Sequence, residues 1–216
     1  MQKADGMHYA PTGKAGAVVR PGEFSFAAVG LEHGHIYGMT NGLLEAGAAL
    51  KWVYDPDPAK VADYRKKYPQ ARAAESEEQI LSDPAVKLVA AAAIPCDRAA
   101  LGIRVMESGK DYFTDKTPLT TLAQLDAVKA ACARTGRRYF VYFRERLHVE
   151  CAVLAGQLIK EGRIGRVLQV IGMGPHRLGP PDKRPDWFYR RAQYGGILCD
   201  IGSHQIEQIL YYNPAE

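Results

Sequence analysis

Asp200 and His204 stand four residues apart in GGILCDIGSHQIEQ (195–208), behind a double glycine and a short apolar run. On a helix, positions i and i+4 share a face, so a carboxylate and an imidazole can converge on one proton. The same two residues also serve as a helix N-cap and an idle surface histidine. Lys116 follows DYFTD (111–115), which brings an ammonium to the end of an expected strand. There it can stabilise an oxyanion on a bound ligand, or stand as solvated surface. A third group lies near the start of the chain. FSFAAVG (24–30) runs into VGLEHGHIYG (29–38), and ALKWVYD (49–55) ends in Asp55, 25 residues after Gly30. Strand, glycine turn and helix form a place where free backbone N–H groups receive phosphates, and an acid at the next strand end accepts from ribose hydroxyls.

The glycine turn departs from the usual G-x-G-x-x-G. Glu32 occupies the second glycine position, and Gly34 and Gly38 are displaced from the pattern. A carboxylate at that position repels phosphates unless it points away, with His33 and His35 available to offset it. A plain βα turn is the competing reading, as is a turn-forming role for Asp55 within DPDP. No arginine follows Asp55 to hold a 2′-phosphate, so the sequence favours NAD over NADP.

The elements that must position these groups alternate strictly. Strands are expected at 24–30, 49–55, 87–95, 111–115 and 137–143, with helices at 35–46, 57–68, 98–108 and from Thr121 to Thr135. Ser76 with Gln79 and Thr121 with Gln124 have capping-box spacing. KLVAAAAIP (87–95) is apolar almost throughout, as a strand buried on both faces should be. This pattern predicts an α/β fold, a Rossmann-like parallel sheet with helices on both faces, over residues 24–145. Residues 1–23 read as an N-terminal arm. Beyond 145 a helix at 150–165, a strand at 166–174 and a Pro- and Arg-rich loop begin an α+β second domain, 146–216. With one strand it holds too little to bury a core of its own and is expected to be incomplete.

Composition narrows the function classes. The chain has 216 residues, 28 basic and 24 acidic, for a net charge of +4. That balance argues against a nucleic-acid partner. KRPDWFYRR (183–191) is the one basic cluster, read as a solvated loop or a contact for an anionic cofactor or substrate. Cys96, Cys132, Cys151 and Cys199 lie far apart without a CxxC pair, which points to reduced thiols in a cytoplasmic protein and to no zinc-type ligand set. No apolar run is long enough to span a membrane, and the N-terminal stretch lacks the apolar centre of a signal peptide.

Three motifs in order give the sequence a resemblance to the Gfo/Idh/MocA oxidoreductase family. DKTP (115–118) is similar to its E-K-P motif, with Asp115 for Glu and Thr117 inserted before Pro118. IGRVLQV (164–170) resembles the segment that begins the family's second domain. GGILCDIGSH (195–204) is similar to its G-G-G-x-x-x-D-x-G-x-H motif. The resemblance implies an NAD(P)-dependent dehydrogenase acting on a secondary alcohol, or the ketone, of a sugar, cyclitol or related polyol. It implies Lys116, Asp200 and His204 as catalytic residues. Gly30, Glu32, His33, Gly34, His35, Asp55, Ile94, Pro95, Asp115 and Lys116 would face the cofactor. Arg146 would meet substrate, with His176, Arg177 and Trp187 as pocket-lining or loop-packing residues. The histidine that many members carry after the fourth strand is replaced, in IPCDRAA (94–100), by Arg98 and Ala99. Two other readings compete: a non-catalytic NAD-binding sensor or scaffold, and an NAD-assisted glycosidase. A homo-oligomer through the second-domain sheet is expected, with no metal, membrane or nucleic-acid partner.

The chemistry agrees with these assignments on its own terms. Hydride leaves a carbinol carbon only as the hydroxyl proton departs, and imidazole is a suitable base near pH 7.

Overall fold

The computed structural model describes residues 16–174, 179 and 184–213. Most of the expected arm, and His176 and Arg177, lie outside the described residues.

Six parallel strands form one sheet: β1 (Ser25–Val29), β2 (Ala49–Tyr54), β3 (Arg72–Ala73), β4 (Val86–Ala91), β5 (Asp111–Asp115) and β6 (Tyr139–Tyr142). Their spatial order is β3-β2-β1-β4-β5-β6, the doubly wound arrangement. The order reverses between β1 and β4, which opens a crevice at their carboxyl ends.

Alternation along the strands builds two cores. Phe26, Ala28, Leu88 and Ala90 face one side, packed with Ile36 and Met39 of α1 (His35–Glu45) and Tyr64 of α2 (Pro58–Lys67). Ala27, Val29, Val89 and Ala91 face the other. They meet Ile80 of α3 (Glu77–Leu81), Leu101 and Val105 of α4 (Arg98–Glu107), and Val128 of α5 (Leu122–Thr135). A strand covered on both faces has no polar side, hence the apolar reading of β4. The alanines of β1 and β4 leave room for helices to lie close to the sheet.

Local signals end the helices where expected. Asp57 accepts from the Ala59 N–H at 2.9 Å, with Pro58 in the first helical position. Thr121 and Gln124 form a complete capping box. Ser76 caps α3, but the Gln79 side chain accepts from Glu75 N–H instead of returning to Ser76. The two-residue β3 is too short to leave a periodicity in the sequence.

Two expectations after residue 145 are corrected. The chain forms α6 (Arg144–Leu147) and α7 (Glu150–Lys160), so α7 stops short of residue 165. Gly162 and Gly165 follow with positive φ, which a continuing helix does not allow. Residues 166–174 form no strand. Their composition suits one, but backbone donors and acceptors need a neighbouring strand, and no described segment supplies it. Leu168, Ile171 and Met173 are 82%, 80% and 89% exposed. The association expected through this sheet therefore has no sheet among the described residues. A 3-10 turn (Asp186–Tyr189) then leads to α8 (Arg191–Tyr194), α9 (Ile197–Asp200) and α10 (Gly202–Tyr212). Among the described residues, no helix is long and apolar enough to cross a membrane.

Candidate active site

The groups singled out in the sequence gather along the carboxyl edge of the sheet. Gly30 follows β1 with φ +67°, and a Cβ there would meet Ala93 Cβ at 3.0 Å. Only glycine combines that backbone conformation with so close an approach to the end of β4. The Gly30 N–H donates to Tyr54 O at 3.1 Å and its carbonyl accepts from the Ala92 N–H at 3.0 Å, which ties the turn to both neighbouring strands. Gly34 precedes α1 with no side chain to cap it, and the first helical N–H, that of His35, is instead accepted by His33 Nδ1 at 3.2 Å. Glu32 does not remain a bare charge: its carboxylate is paired with the Lys60 ammonium of α2. The repulsion expected from this non-glycine position is thereby offset.

Asp55 is buried at the end of β2. Its carboxylate accepts from the Leu31 N–H at 2.6 Å and the Asp57 N–H at 2.9 Å. It holds the glycine turn and its own turn together, and each oxygen keeps a second lone pair. Ile94 and buried Pro95 start a 3-10 turn after β4, on the opposite wall of the crevice.

Lys116 lies just past β5 and is buried beside Asp200, with which it forms an ion pair; its ammonium also donates to the Asp200 carbonyl at 3.4 Å. Asp200 closes α9 and His204 lies in the first turn of α10, with Ile201 between the two helices. The pair thus spans a break and not one regular helix, yet both side chains line the same cavity. Asp200 caps nothing there, because Ile201 is the N-cap of α10. Gly195 makes this approach possible. Its φ is +85°, and a Cβ would meet Cys199 Cβ and Thr120 Cγ2 at 3.0 Å. The Thr117 hydroxyl then fastens α9 to the end of β5 by donating to the Cys199 carbonyl.

The cavity has a volume of about 240 Å3 and is lined by His33, His35, Lys116, Glu145, Asp200 and His204 together with Arg144, Arg184, Phe188 and Ile201. Asp200 Oδ2 and His204 Nδ1 are buried with no hydrogen-bond partner among the described residues. Burial holds the His204 pKa below its ordinary value, opposed by Glu145, whose Oε1 lies 3.9 Å from His204 Nε2, while Lys116 lowers it further. Burial lowers the His33 pKa to about 4, with Asp115 opposing. Asp115 is the reverse case. Burial alone would raise its pKa, but the His35 hydrogen bond and the Arg98 charge hold it below the ordinary carboxylate value.

Arg98 and Glu145 are the residues that sequence reasoning missed. Arg98 is 1% exposed and donates to the carbonyls of Ala93 at 2.7 Å, Asp115 at 3.0 Å and Thr117 at 2.9 Å. It also approaches Asp115 Oδ2 at 3.4 Å. In place of the absent histidine, it locks the ends of β4 and β5 together. A cation in the first turn after a strand-ending proline was its only signal. Arg146 is not among the cavity residues: it pairs with Glu207 of α10 and stacks over Tyr211 at 4.5 Å, while its neighbours Arg144 and Glu145 line the cavity. Trp187 is buried with its ring 6.3 Å from that of His33, and Phe188 next to it supplies the cavity wall. None of the four cysteines is paired. Against the expectation of no metal-type cluster, His33, His35 and Asp115 bring their ligand atoms within 4.8 Å of one another.

Comparison with known proteins agrees with this architecture. D-xylose dehydrogenase of Paenarthrobacter nicotinovorans is 28% identical over 153 residues, covering 68% of this chain and 38% of that protein. The scyllo-inositol 2-dehydrogenase (NADP(+)) of Bacillus subtilis (strain 168) is 23% identical, over 71% of this chain and 42% of its own. A crystal structure from Erwinia carotovora atroseptica SCRI1043, named only as an oxidoreductase, superposes with a TM-score of 0.84 at 52% identity. It covers 88% of this chain and 56% of that one. Levoglucosan dehydrogenase in complex with NADH shares the fold at a TM-score of 0.72 and 22% identity, over 88% and 54% of the two chains. The chain thus spans 38% to 56% of the length of these relatives. Residues 25–143 match the oxidoreductase family with an NAD-binding Rossmann fold and residues 153–215 match the GFO/IDH/MocA C-terminal domain. With both models matched in order, the chain belongs to the Gfo/Idh/MocA oxidoreductases.

Proposed function

We propose that the chain is the cofactor half, with the start of the substrate half, of an NAD-dependent oxidoreductase acting on a secondary alcohol or ketone of a sugar, cyclitol or related polyol. Residues 24–145 would receive the cofactor, and 146–216 would begin the substrate side. The observation that carries the reading is the convergence of Lys116, Asp200 and His204 on one cavity, with Asp200 Oδ2 and His204 Nδ1 buried and without a partner among the described residues. Such atoms are costly unless a ligand satisfies them, so the residues fit a hydroxyl substrate beside a nicotinamide. The named substrates of the similar dehydrogenases, D-xylose and scyllo-inositol, support the polyol class.

A nicotinamide cofactor held along the glycine turn and Asp55 would supply the hydride-accepting chemistry at the carbinol carbon. The chain does the rest. His204, kept neutral near pH 7 by its burial, takes the hydroxyl proton, and the Glu145 carboxylate facing its other nitrogen balances the imidazolium charge. Lys116, pinned by Asp200, sits beside the oxygen as negative charge grows on it. Glu32, neutralised by Lys60, leaves the glycine turn free to meet the pyrophosphate, while Asp55 at the end of β2 disfavours a 2′-phosphate and favours NAD.

A panel of polyols and sugars, read by NADH absorbance, tests the reading together with NADH binding by fluorescence. His204→Ala should lower turnover about 10² to 10⁴-fold. Lys116→Met should lower turnover more than it weakens NADH binding. Near-normal turnover in either variant, or NADH binding with no turnover on any panel member, would favour a sensor or scaffold instead.

A further inference from the structure

His33, His35 and Asp115 form a cluster that the proton and oxyanion roles above do not use. The two histidines leave the glycine turn on either side of Gly34, so both rings swing toward the end of β5, with centroids 4.1 Å apart. His35 Nδ1 lies 2.8 Å from Asp115 Oδ1, and His33 Nδ1 lies 3.3 Å from Asp115 Oδ2. The first contact is an ordinary hydrogen bond. The second is not. His33 Nδ1 already accepts from the His35 backbone N–H at 3.2 Å, so its in-plane position holds a lone pair and not a proton. His33 Nδ1 therefore has no proton to share with Asp115 Oδ2, and the two acceptor atoms stand 3.3 Å apart in a site where the Asp115 side chain is fully buried. Such a pair is stable when a positive centre lies between them.

We propose that His33, His35 and Asp115 hold a divalent transition-metal ion of the zinc class, with its remaining coordination position open to the cavity that contains Lys116 and His204. Two imidazole nitrogens and one carboxylate are a ligand set for such an ion and a poor one for magnesium or calcium, which prefer oxygen. Bonds of about 2.0–2.1 Å in a tetrahedron put neighbouring ligand atoms about 3.3 Å apart; His33 Nδ1 and Asp115 Oδ2 already stand at 3.3 Å, and His35 Nδ1 would draw back from its 2.8 Å hydrogen bond. Arg98 supplies the outer support, since its guanidinium reaches Asp115 Oδ2 at 3.4 Å and fixes the carboxylate from behind. The nearby Lys116 charge is already countered by Asp200, so it does not bar a second cation. The open position faces His33, His35, Lys116 and His204 in one cavity, where a water or a substrate oxygen would complete the shell.

The experiment titrates Co2+, as a spectroscopic substitute for zinc, into the EDTA-treated 216-residue chain without cofactor or substrate. We expect one equivalent bound per chain, with the visible d–d bands of a four-coordinate N/O site and displacement by Zn2+. His33→Ala and His35→Ala, each checked by circular dichroism, should weaken binding at least about 100-fold, beyond the usual effect of losing an outer-shell partner. Should either variant unfold, His33→Gln serves in its place, since it retains volume but not the imidazole. His148→Ala, whose Nε2 lies 2.8 Å from the Tyr142 hydroxyl in an adjoining groove, should leave binding unchanged, because His148 is not one of the three ligands. No saturable binding, binding that survives the His33 and His35 substitutions, or thiolate-to-cobalt charge-transfer bands from a cysteine site would each overturn the proposal. Because the readout involves neither NADH nor turnover, its result stands or falls apart from the hydride-transfer reading.

Discussion

Replacing Arg98 with methionine isolates the buried cation that joins the ends of β4 and β5. The guanidinium serves four acceptors: the carbonyls of Ala93, Asp115 and Thr117, and the Asp115 carboxylate. Methionine fills comparable volume but donates nothing, so several of these acceptors lose their partner in a region where Arg98 itself is 1% exposed. Each buried acceptor left unsatisfied costs about 1–3 kcal/mol, and removing one member of a buried ion pair costs about 3–5 kcal/mol. These terms overlap and are not summed; a loss of about 4 kcal/mol is expected. For a domain of this size that lowers the unfolding midpoint by roughly 8–16 °C. Arg98→Lys should fall between, because a single ammonium cannot span acceptors on both sides of the β4–β5 junction. Urea unfolding and a thermal scan measure both variants. A loss below about 1 kcal/mol for Arg98→Met would falsify the clamp, and equal stability of the lysine and methionine variants would show that fork geometry does not matter.

Acid should weaken the fold through His33, whose pKa falls from 6.5 to about 4 on folding. Between those values only the unfolded chain binds the proton, so stability is full above pH 6.5 and declines toward pH 4 by up to about 3 kcal/mol, with His204 acting in the same direction. His33→Gln should flatten that part of the urea-midpoint profile; an unchanged slope would remove His33 as its source. Gly30→Ala should cost about 2 kcal/mol or more, from a positive φ and the contact with Ala93, and should also abolish NADH binding; tolerance of alanine would mean that the turn can move. Asp55→Ala should weaken NAD more than NADP in fluorescence titrations, and an equal effect on both would leave Asp55 as a turn former alone.

The sequence by itself determined the layered fold, because its signals are local. Alternation of apolar strands with capped helices needs only neighbours within a few residues, as Asp57, Ser76 and Thr121 show at the starts of α2, α3 and α5. It also supplied the motif residues Lys116, Asp200 and His204, since turn glycines such as Gly30 and Gly195 mark where a chain must approach another closely. It misread residues 166–174, because apolar content specifies a strand only when another strand is present to pair with it. Which side chains meet was likewise decided by the tertiary fold. Lys116 and Asp200 are 84 residues apart, and His35 and Asp115 are 80 apart, so their contacts depend on strand order and crossovers. The partners of Glu32, the clamp made by Arg98 and the exchange of Arg146 for Arg144 and Glu145 at the cavity belong to the same class. A one-residue step along a turn or short helix redirects a side chain by roughly 100°, and no spacing rule carries that rotation across a domain.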